Sequence, residues 1–450
     1  MQPDTSLQPQ LLQDGAQQSA RQKEVAVPEP KALWLGLRLL TLLYATLFSA
    51  VAPLTPREQA LPLWPPSGDL GTWLERTLLA PWERRDVVYY QAIVERGYRI
   101  DDGTAQFHPL LSWLASPLHW LGASPLLALL LVGSLAALLM LLAFEQQARL
   151  DLPPAQARLA VALLACAPPA FVLFAPYSEG LFLLWATLCL LWARQRRWWL
   201  AGLAGGLAAL TRQQGILLLL PLAWELWEAR NQEPRTKNQE PGDEARGLRL
   251  EAGKPNIGEG TNSKLKTQNS KLQDWLSLGL VPLGLLVWLV YRGLALGDVR
   301  VSTAGPQELI YSLLISPSAS QVVPEQAFLW PWQALWLALS KFARAPEYSL
   351  AIDLVLGAGF VLLLALAWPR MRGSYRAYAL ATTLISFAYY TGPHYPYMGL
   401  PRHLLLATPV FIALAPLATE RPWLRRALLG GGVLALAFLQ LQFAIHGWVP

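Results

Sequence analysis

The densest run of chemically capable side chains in this 450-residue chain lies at 82–98. Within it Asp86, Tyr89, Tyr90 and Ile93 follow helical spacing, and Gly97 supplies a C-terminal stop. The spacing predicts a short amphipathic helix near the outer membrane surface, with Asp86 at its N-terminal end. A carboxylate there has two uses. It can cap the helix and gain from the helix dipole, or it can serve as a general base held at the lipid boundary. Spacing alone leaves both open.

Glu179 stands beside Tyr177 and Ser178 where an apolar run meets the outer surface. Ionisable groups near membrane depth are costly and by default functional. Arg212 lies in the polar break 211–214, and its fork suits phosphate oxygens. Glu179 and Arg212 can pair and hold two short helices together, contact a substrate directly, or do both. Further cations and imidazoles, Arg402, His394 and His403, follow late in the chain on or near the same side. Asp353, among apolar neighbours, must face the bundle interior or interfacial water. Asp101 and Asp102 with Gly103 read as a solvated turn. Arg38 lies near one end of its apolar run and is expected to snorkel. Trp330, Trp332 and Trp336 fit an amphipathic interfacial helix. Cys166 and Cys189 both sit in apolar runs, so neither a disulfide framework nor a CxxC metal site is expected.

The elements that must position these groups are membrane spans. Hydrophobic residues make up 54% of the chain and charged ones only 15%, too few charges to cover a soluble protein of this length. The net charge of +6 is accounted for by basic cytoplasmic loops, so no nucleic-acid partner is expected. About 20 apolar residues cross a bilayer as a helix. Runs of that kind occupy 32–52, 124–144, 159–176, 275–296, 349–368, 378–391, 403–419 and 427–446, with a shorter one at 177–193. The first ends in Ala50-Val51-Ala52, which imitates a cleavage site, but its length and Pro53 favour an uncleaved span. The run 198–227 reads as one long helix or as two short ones broken at 211–214. Basic clusters at 21–31, 194–197, 370–376 and 421–426 fall on one side only if it is two. The positive-inside rule therefore favours two segments, about ten or eleven spans in all, and a cytoplasmic N-terminus.

The expected fold class is an all-α integral membrane protein, a polytopic helical bundle. Residues 1–31 are Gln-rich and expected to be a disordered cytoplasmic segment. Residues 32–228 form an N-terminal transmembrane catalytic module with an extracytoplasmic loop at 53–123. Residues 229–274, with Asn-Gln-Glu-Pro twice, read as a disordered cytoplasmic insert. Residues 275–450 form a C-terminal transmembrane module with an outer loop at 297–348.

Four stretches, in order, resemble the blocks of the GPI mannosyltransferase II (PIG-V-like) family and its bacterial relatives. They are Asp86-x-x-Tyr89-Tyr90-x-x-Ile93-x-x-x-Gly97-Tyr98, Phe107-His108-Pro109-Leu110, Ala175-Pro176-Tyr177-Ser178-Glu179-Gly180-Leu181-Phe182, and Ala208-Ala209-Leu210-Thr211-Arg212-Gln213-Gln214-Gly215. A later stretch, Pro401-Arg402-His403-Leu404-Leu405, is similar to a late family block. Arg85 stands where the family has Trp, Val94 where it has a small residue, and Gly180 where it has Ser.

The resemblance implies a GT-C-like architecture with the reactive carboxylate in the first extracytoplasmic loop. It implies a glycosyltransferase moving a sugar, mannose by analogy, with inversion, from a polyprenyl-phosphate donor to a membrane-associated or lipid-linked acceptor hydroxyl. Asp86 would be the general base, and Tyr90, His108, Tyr177, Glu179, Arg212, His394, Arg402 and His403 would line the substrate site. No cofactor is expected, although a loosely held divalent cation on Asp and Glu is compatible with the sequence. The protein would be multi-pass, in the cell membrane if bacterial or the endoplasmic reticulum if eukaryotic, with its site on the extracytoplasmic face. The competing reading is a polytopic lipid or polysaccharide transporter or flippase. Transporters place polar residues at the bilayer midplane, often with repeat symmetry; here they gather toward one face.

Overall fold

The computed structural model describes residues 27–51, 77–237, 274–297 and 326–444. The expectations for 1–26, for 52–76 of the first loop, for 238–273 of the insert, for 298–325 of the second loop and for 445–450 lie outside the described residues. What is described is helical, apart from a two-residue antiparallel pair in which Ala327 faces Tyr390 and Phe328 faces Tyr389.

Five helices are long and apolar enough to cross a membrane: Pro30–Phe48, Pro125–Ala148, Asp274–Ala295, Tyr348–Arg370 and Pro422–Ala444. Pro154–Ala165, Trp198–Thr211 and Pro409–Glu420 are shorter apolar helices. Their outward faces explain why the sequence is so apolar. Leu35, Leu39, Leu43 and Leu47 are all exposed at four-residue spacing, and Leu131, Leu135 and Leu139 repeat the pattern. Such a stripe is unfavourable in water and satisfied by lipid. The chain is an integral membrane protein built as a polytopic helical bundle.

Ion pairs collect at one end of the bundle. Arg158 pairs with Glu29 at 3.7 Å, Arg194 with Asp151 at 2.8 Å, Arg372 with Glu225 at 3.4 Å and Arg370 with Glu420 at 3.4 Å. The start of the first long helix and the clusters near 194, 370 and 421 thus share an end. That arrangement requires two passes through 198–227, and two are present. The helix Trp198–Thr211 stops at Arg212, whose backbone is extended (φ −155°, ψ 146°). A 3₁₀ segment, Gln213–Leu218, then leads into the helix Leu219–Lys237. That last helix continues past residue 228, to Lys237.

The Trp198–Thr211 helix lies backbone to backbone on Leu280–Ala295. A Cβ on Gly206 would stand 2.5 Å from the Leu280 carbonyl oxygen, and one on Gly284 would stand 2.0 Å from that of Gly206. Small residues permit this approach, and close van der Waals packing holds helices together where lipid removes the hydrophobic drive.

Two expectations need correction. The helix Asp86–Arg96 is not a surface helix with one wet face: Val87, Val88, Tyr90, Gln91, Ala92, Ile93 and Val94 are all buried. Of its polar positions, Gln91 is taken up internally, its Nε2 donating to Glu83 Oε1 at 2.9 Å, while Glu95 and Arg96 at its C-terminal end stay exposed. Arg38 does not snorkel either. Its guanidinium donates to the Phe174 carbonyl and lies 5.4 Å from the Trp82 ring centroid. The expected interfacial helix is present as Pro331–Arg344, with Ala334 and Ala338 buried and Trp330, Trp332 and Trp336 exposed.

Candidate active site

At the other end of the bundle, helix termini bring together two carboxylates and two guanidinium groups. Asp86 is the first residue of its helix. The preceding turn sets its direction: Arg85 has φ 55° and ψ −123°, and the Val87 N–H donates to the Arg84 carbonyl at 3.1 Å. This is the geometry of the first central position of a type II′ turn, which usually holds glycine. Asp86 is not the cap: Arg85 stands at the N-cap position without a side-chain cap hydrogen bond, and Asp86 follows it in the first turn. Instead Asp86 Oδ2 accepts from Arg402 at 3.0 Å. Its side chain keeps 34% of its surface exposed, so it faces an opening.

Glu179 is the first residue of the helix Glu179–Arg194, and only 1% of its side chain is exposed. Arg212 NH1 lies 2.9 Å from Glu179 Oε1 and donates to Ser178 Oγ at 3.0 Å. Arg402 NH1 lies 3.8 Å from the same Glu179 oxygen. The pairing reading of Glu179 and Arg212 is therefore present, with Arg402 as a second cation beside the carboxylate. Two negative and two positive groups form one connected cluster without net charge.

Arg402 is placed by a short helix, Leu400–Leu404. Asp353 Oδ1, inside the helix Tyr348–Ala367, accepts from the Leu400 N–H at 3.1 Å, satisfying an orphan donor at the helix start. Gly399 has φ +81°, and a Cβ there would stand 2.5 Å from Arg402 Nε. The guanidinium also lies 5.1 Å from the Tyr177 ring centroid, a cation–π distance. Burial opposes the Arg402 charge, but Asp86 and Glu179 outweigh it and hold the group protonated.

Tyr90 is buried in the middle of this cluster. Burial raises its hydroxyl pKa; Arg212 and Ser178 lower it, while Glu179 and Asp86 raise it further. His108 is close but plays a different part. Its Nδ1 meets the Ala209 carbonyl at 2.9 Å, three residues before Arg212. Burial pushes its pKa down to about 3, and the charges of Arg292 and Arg212 push the same way. His108 is thus a neutral strut at the end of the Trp198–Thr211 helix. His403 is buried with its ring 5.8 Å from that of Tyr389. His394 lies on an exposed turn where its carbonyl accepts from Lys341, and the structure does not bring it into the charged cluster.

Ser178, Asp353, Gly399 and Arg85 belong to the site and were not singled out as site residues by sequence. Asp102 accepts from Thr104 Oγ1 at 2.6 Å and pairs with Arg96 at 2.9 Å, so it is a turn residue away from the cluster. Among the described residues no group of three or more His, Cys, Asp or Glu is placed to hold a metal ion.

No family model matches the chain, the one suggested by its motifs included, and no curated protein matches it in sequence. Among solved structures it is similar to ArnT from Cupriavidus metallidurans bound to undecaprenyl phosphate, with 14% identity over 86% of this chain and 60% of that one, at a TM-score of 0.45. The Archaeoglobus fulgidus oligosaccharyltransferase in complex with zinc and sulfate gives 17% identity over 91% of this chain and 53% of that one, at 0.40. The oligosaccharyltransferase AglB from Archaeoglobus fulgidus, in complex with an inhibitory peptide and a dolichol-phosphate, gives 14% over 91% and 54%, at 0.35. The chain thus spans between half and two thirds of the length of these proteins.

Proposed function

We propose that the protein is a membrane glycosyltransferase that moves a sugar from a polyprenyl-phosphate donor to the hydroxyl of a membrane-associated acceptor. The observation that carries this reading is the charged cluster itself: a partly exposed carboxylate, Asp86, within hydrogen-bond distance of Arg402, with Arg212 one carboxylate away. The chemistry requires both signs. The acceptor hydroxyl must lose a proton as its oxygen attacks the anomeric carbon, and a positioned base contributes roughly 10²–10⁴-fold. The departing lipid phosphate is stable as an anion and needs positive charge nearby, which guanidinium groups supply. Asp86 is the base, Arg402 and Arg212 face the phosphate, and Glu179 holds Arg212 in place. Attack from the side opposite the leaving group inverts the anomeric carbon. Mannose is the sugar implied by the motif resemblance. The reaction would take place on the extracytoplasmic face, without a resident cofactor. The cluster sits at helix termini at one end of the bundle, whereas a transporter would hold such groups on broken helices at the midplane.

The test is a transfer assay in reconstituted vesicles with a panel of polyprenyl-phosphate sugars. Asp86→Asn should reduce transfer at least about 100-fold with the protein still folded. Arg212→Ala should raise the donor KM more than it changes thermal stability. Near-wild-type transfer by Asp86→Asn would remove Asp86 as the base.

A further inference from the structure

We propose that Arg402 is shared between Asp86 and the incoming lipid phosphate, so that donor binding is the event that frees Asp86 to act. The proposal rests on the reading of the site given above and adds an order to it: donor first, acceptor second.

The carboxylate meant to take a proton already accepts one hydrogen bond, at 3.0 Å, from a guanidinium. A carboxylate held this way presents a weaker lone pair to an acceptor hydroxyl. The two arginines of the cluster differ in how firmly they are held. Arg212 is engaged by Glu179, which is almost wholly buried, and by Ser178. Arg402 touches the same buried oxygen only at 3.8 Å, and its closer partner is the more exposed carboxylate of the cluster. Its backbone is fixed by Asp353 through the Leu400 N–H and by the left-handed Gly399. The freedom therefore lies in the side chain, which can turn over the Tyr177 ring without the short helix moving. Of its five N–H donors only NH1 serves the carboxylates, and Nε has no hydrogen-bond partner among the described residues.

A phosphodiester brings two non-bridging oxygens, and arginine binds such a pair with two parallel hydrogen bonds. It therefore competes with Asp86 for Arg402 on favourable terms. Once Arg402 turns to the phosphate, Arg212 still neutralises Glu179, and Asp86 is the carboxylate left without a cation. The transfer then balances. The acceptor oxygen forms its bond to the anomeric carbon, the bond from that carbon to the phosphate oxygen breaks with its electron pair on the phosphate, and the acceptor proton passes to Asp86. Arg402 on the phosphate stabilises the charge that grows there. Without donor, the base stays occupied, and neither the acceptor nor water is activated.

The two roles predict a sign that simple substrate contact does not. If Asp86 competes with phosphate for Arg402, removing its charge must strengthen phosphate binding. Binding of a polyprenyl monophosphate without sugar is measured in detergent for wild type, Asp86→Asn, Arg402→Gln and the double variant, each checked by thermal unfolding. Asp86→Asn should bind about tenfold more tightly than wild type, and this gain should vanish in the Arg402→Gln background, a coupling of the size seen for directly interacting groups. Arg402→Lys keeps the charge should Arg402→Gln fail to fold, and there Asp86→Asn should still tighten binding. Equal affinity of wild type and Asp86→Asn overturns the proposal. A gain that persists undiminished in Arg402→Gln overturns it as well, since that is repulsion between Asp86 and phosphate without competition. Absence of binding in every variant overturns the lipid-phosphate reading beneath it.

Discussion

Arg85 is the residue whose local geometry asks most for an explanation. A side chain at φ 55° and ψ −123° occupies a region that glycine fills freely, at a cost of about 1–3 kcal/mol. The strain lies one residue before Asp86, in the turn that aims it. The Arg85 side chain is exposed and adjoins Asp86, at the rim of the cluster. Arg85→Gly removes the strain, while the more flexible unfolded chain offsets part of the gain. The expected result is a rise in stability of about 1 kcal/mol, read as a higher Tm in detergent. If the arginine is kept for its charge at the rim, the stabilised variant should also lose transfer activity, the usual trade between a strained site and a relaxed one. An unchanged or lower Tm would show that the turn is not strained as its dihedral angles imply.

At the scale of elements, the site depends on helices that end at the right depth. The Trp198–Thr211 helix carries Arg212 at its end, and its depth is set by its contact with Leu280–Ala295. Gly206→Val would push the two backbones apart and should destabilise the protein by about 1–3 kcal/mol, with a matching loss of activity as Arg212 moves from Glu179. Gly359→Ala, in a helix where the added methyl meets nothing within 4 Å, is the control and should be neutral or gain up to about 1 kcal/mol. Thermal unfolding of the two variants side by side checks the contrast. Much of this scale is legible in the sequence. Glu179 and Arg212 stand out because each interrupts an apolar run, and the break at 211–214 follows from where the basic clusters must fall. The pairing of Asp86 with Arg402 is not legible, since the partners lie 316 positions apart and no local period links them. Asp353 is legible as an interior carboxylate, but its partner is not, because a backbone N–H leaves no mark on residue types. The partner of Arg38 is hidden for a related reason: a 3₁₀ segment at Pro168–Leu173 precedes Phe174, whose carbonyl offers an acceptor that only the folded chain reveals.

For the molecule as a whole, the charged groups divide between two ends. One end is laced by ion pairs among Glu29, Asp151, Arg158, Arg194, Glu225, Arg370, Arg372 and Glu420, pairs of the kind that fix helix ends in place. The other holds the neutral four-group cluster with Asp86 open to one side. If the bundle spans a bilayer, these ends face different compartments, and the basic end is the one the positive-inside rule assigns to the cytoplasm. Single cysteines at the exposed positions Glu95 and Arg196 report the two ends, in a background where the buried Cys166 and Cys189 are replaced by alanine. In sealed, right-side-out vesicles a membrane-impermeant maleimide should label position 95 at once and position 196 only after the membrane is opened. Labelling of both from the same side would mean that the bundle does not separate its two ends across the bilayer, and the Asp86 cluster could not serve an extracytoplasmic reaction. Reversed labelling would keep the span but place the transfer on the cytoplasmic face, where the donor would have to present its sugar from the opposite leaflet.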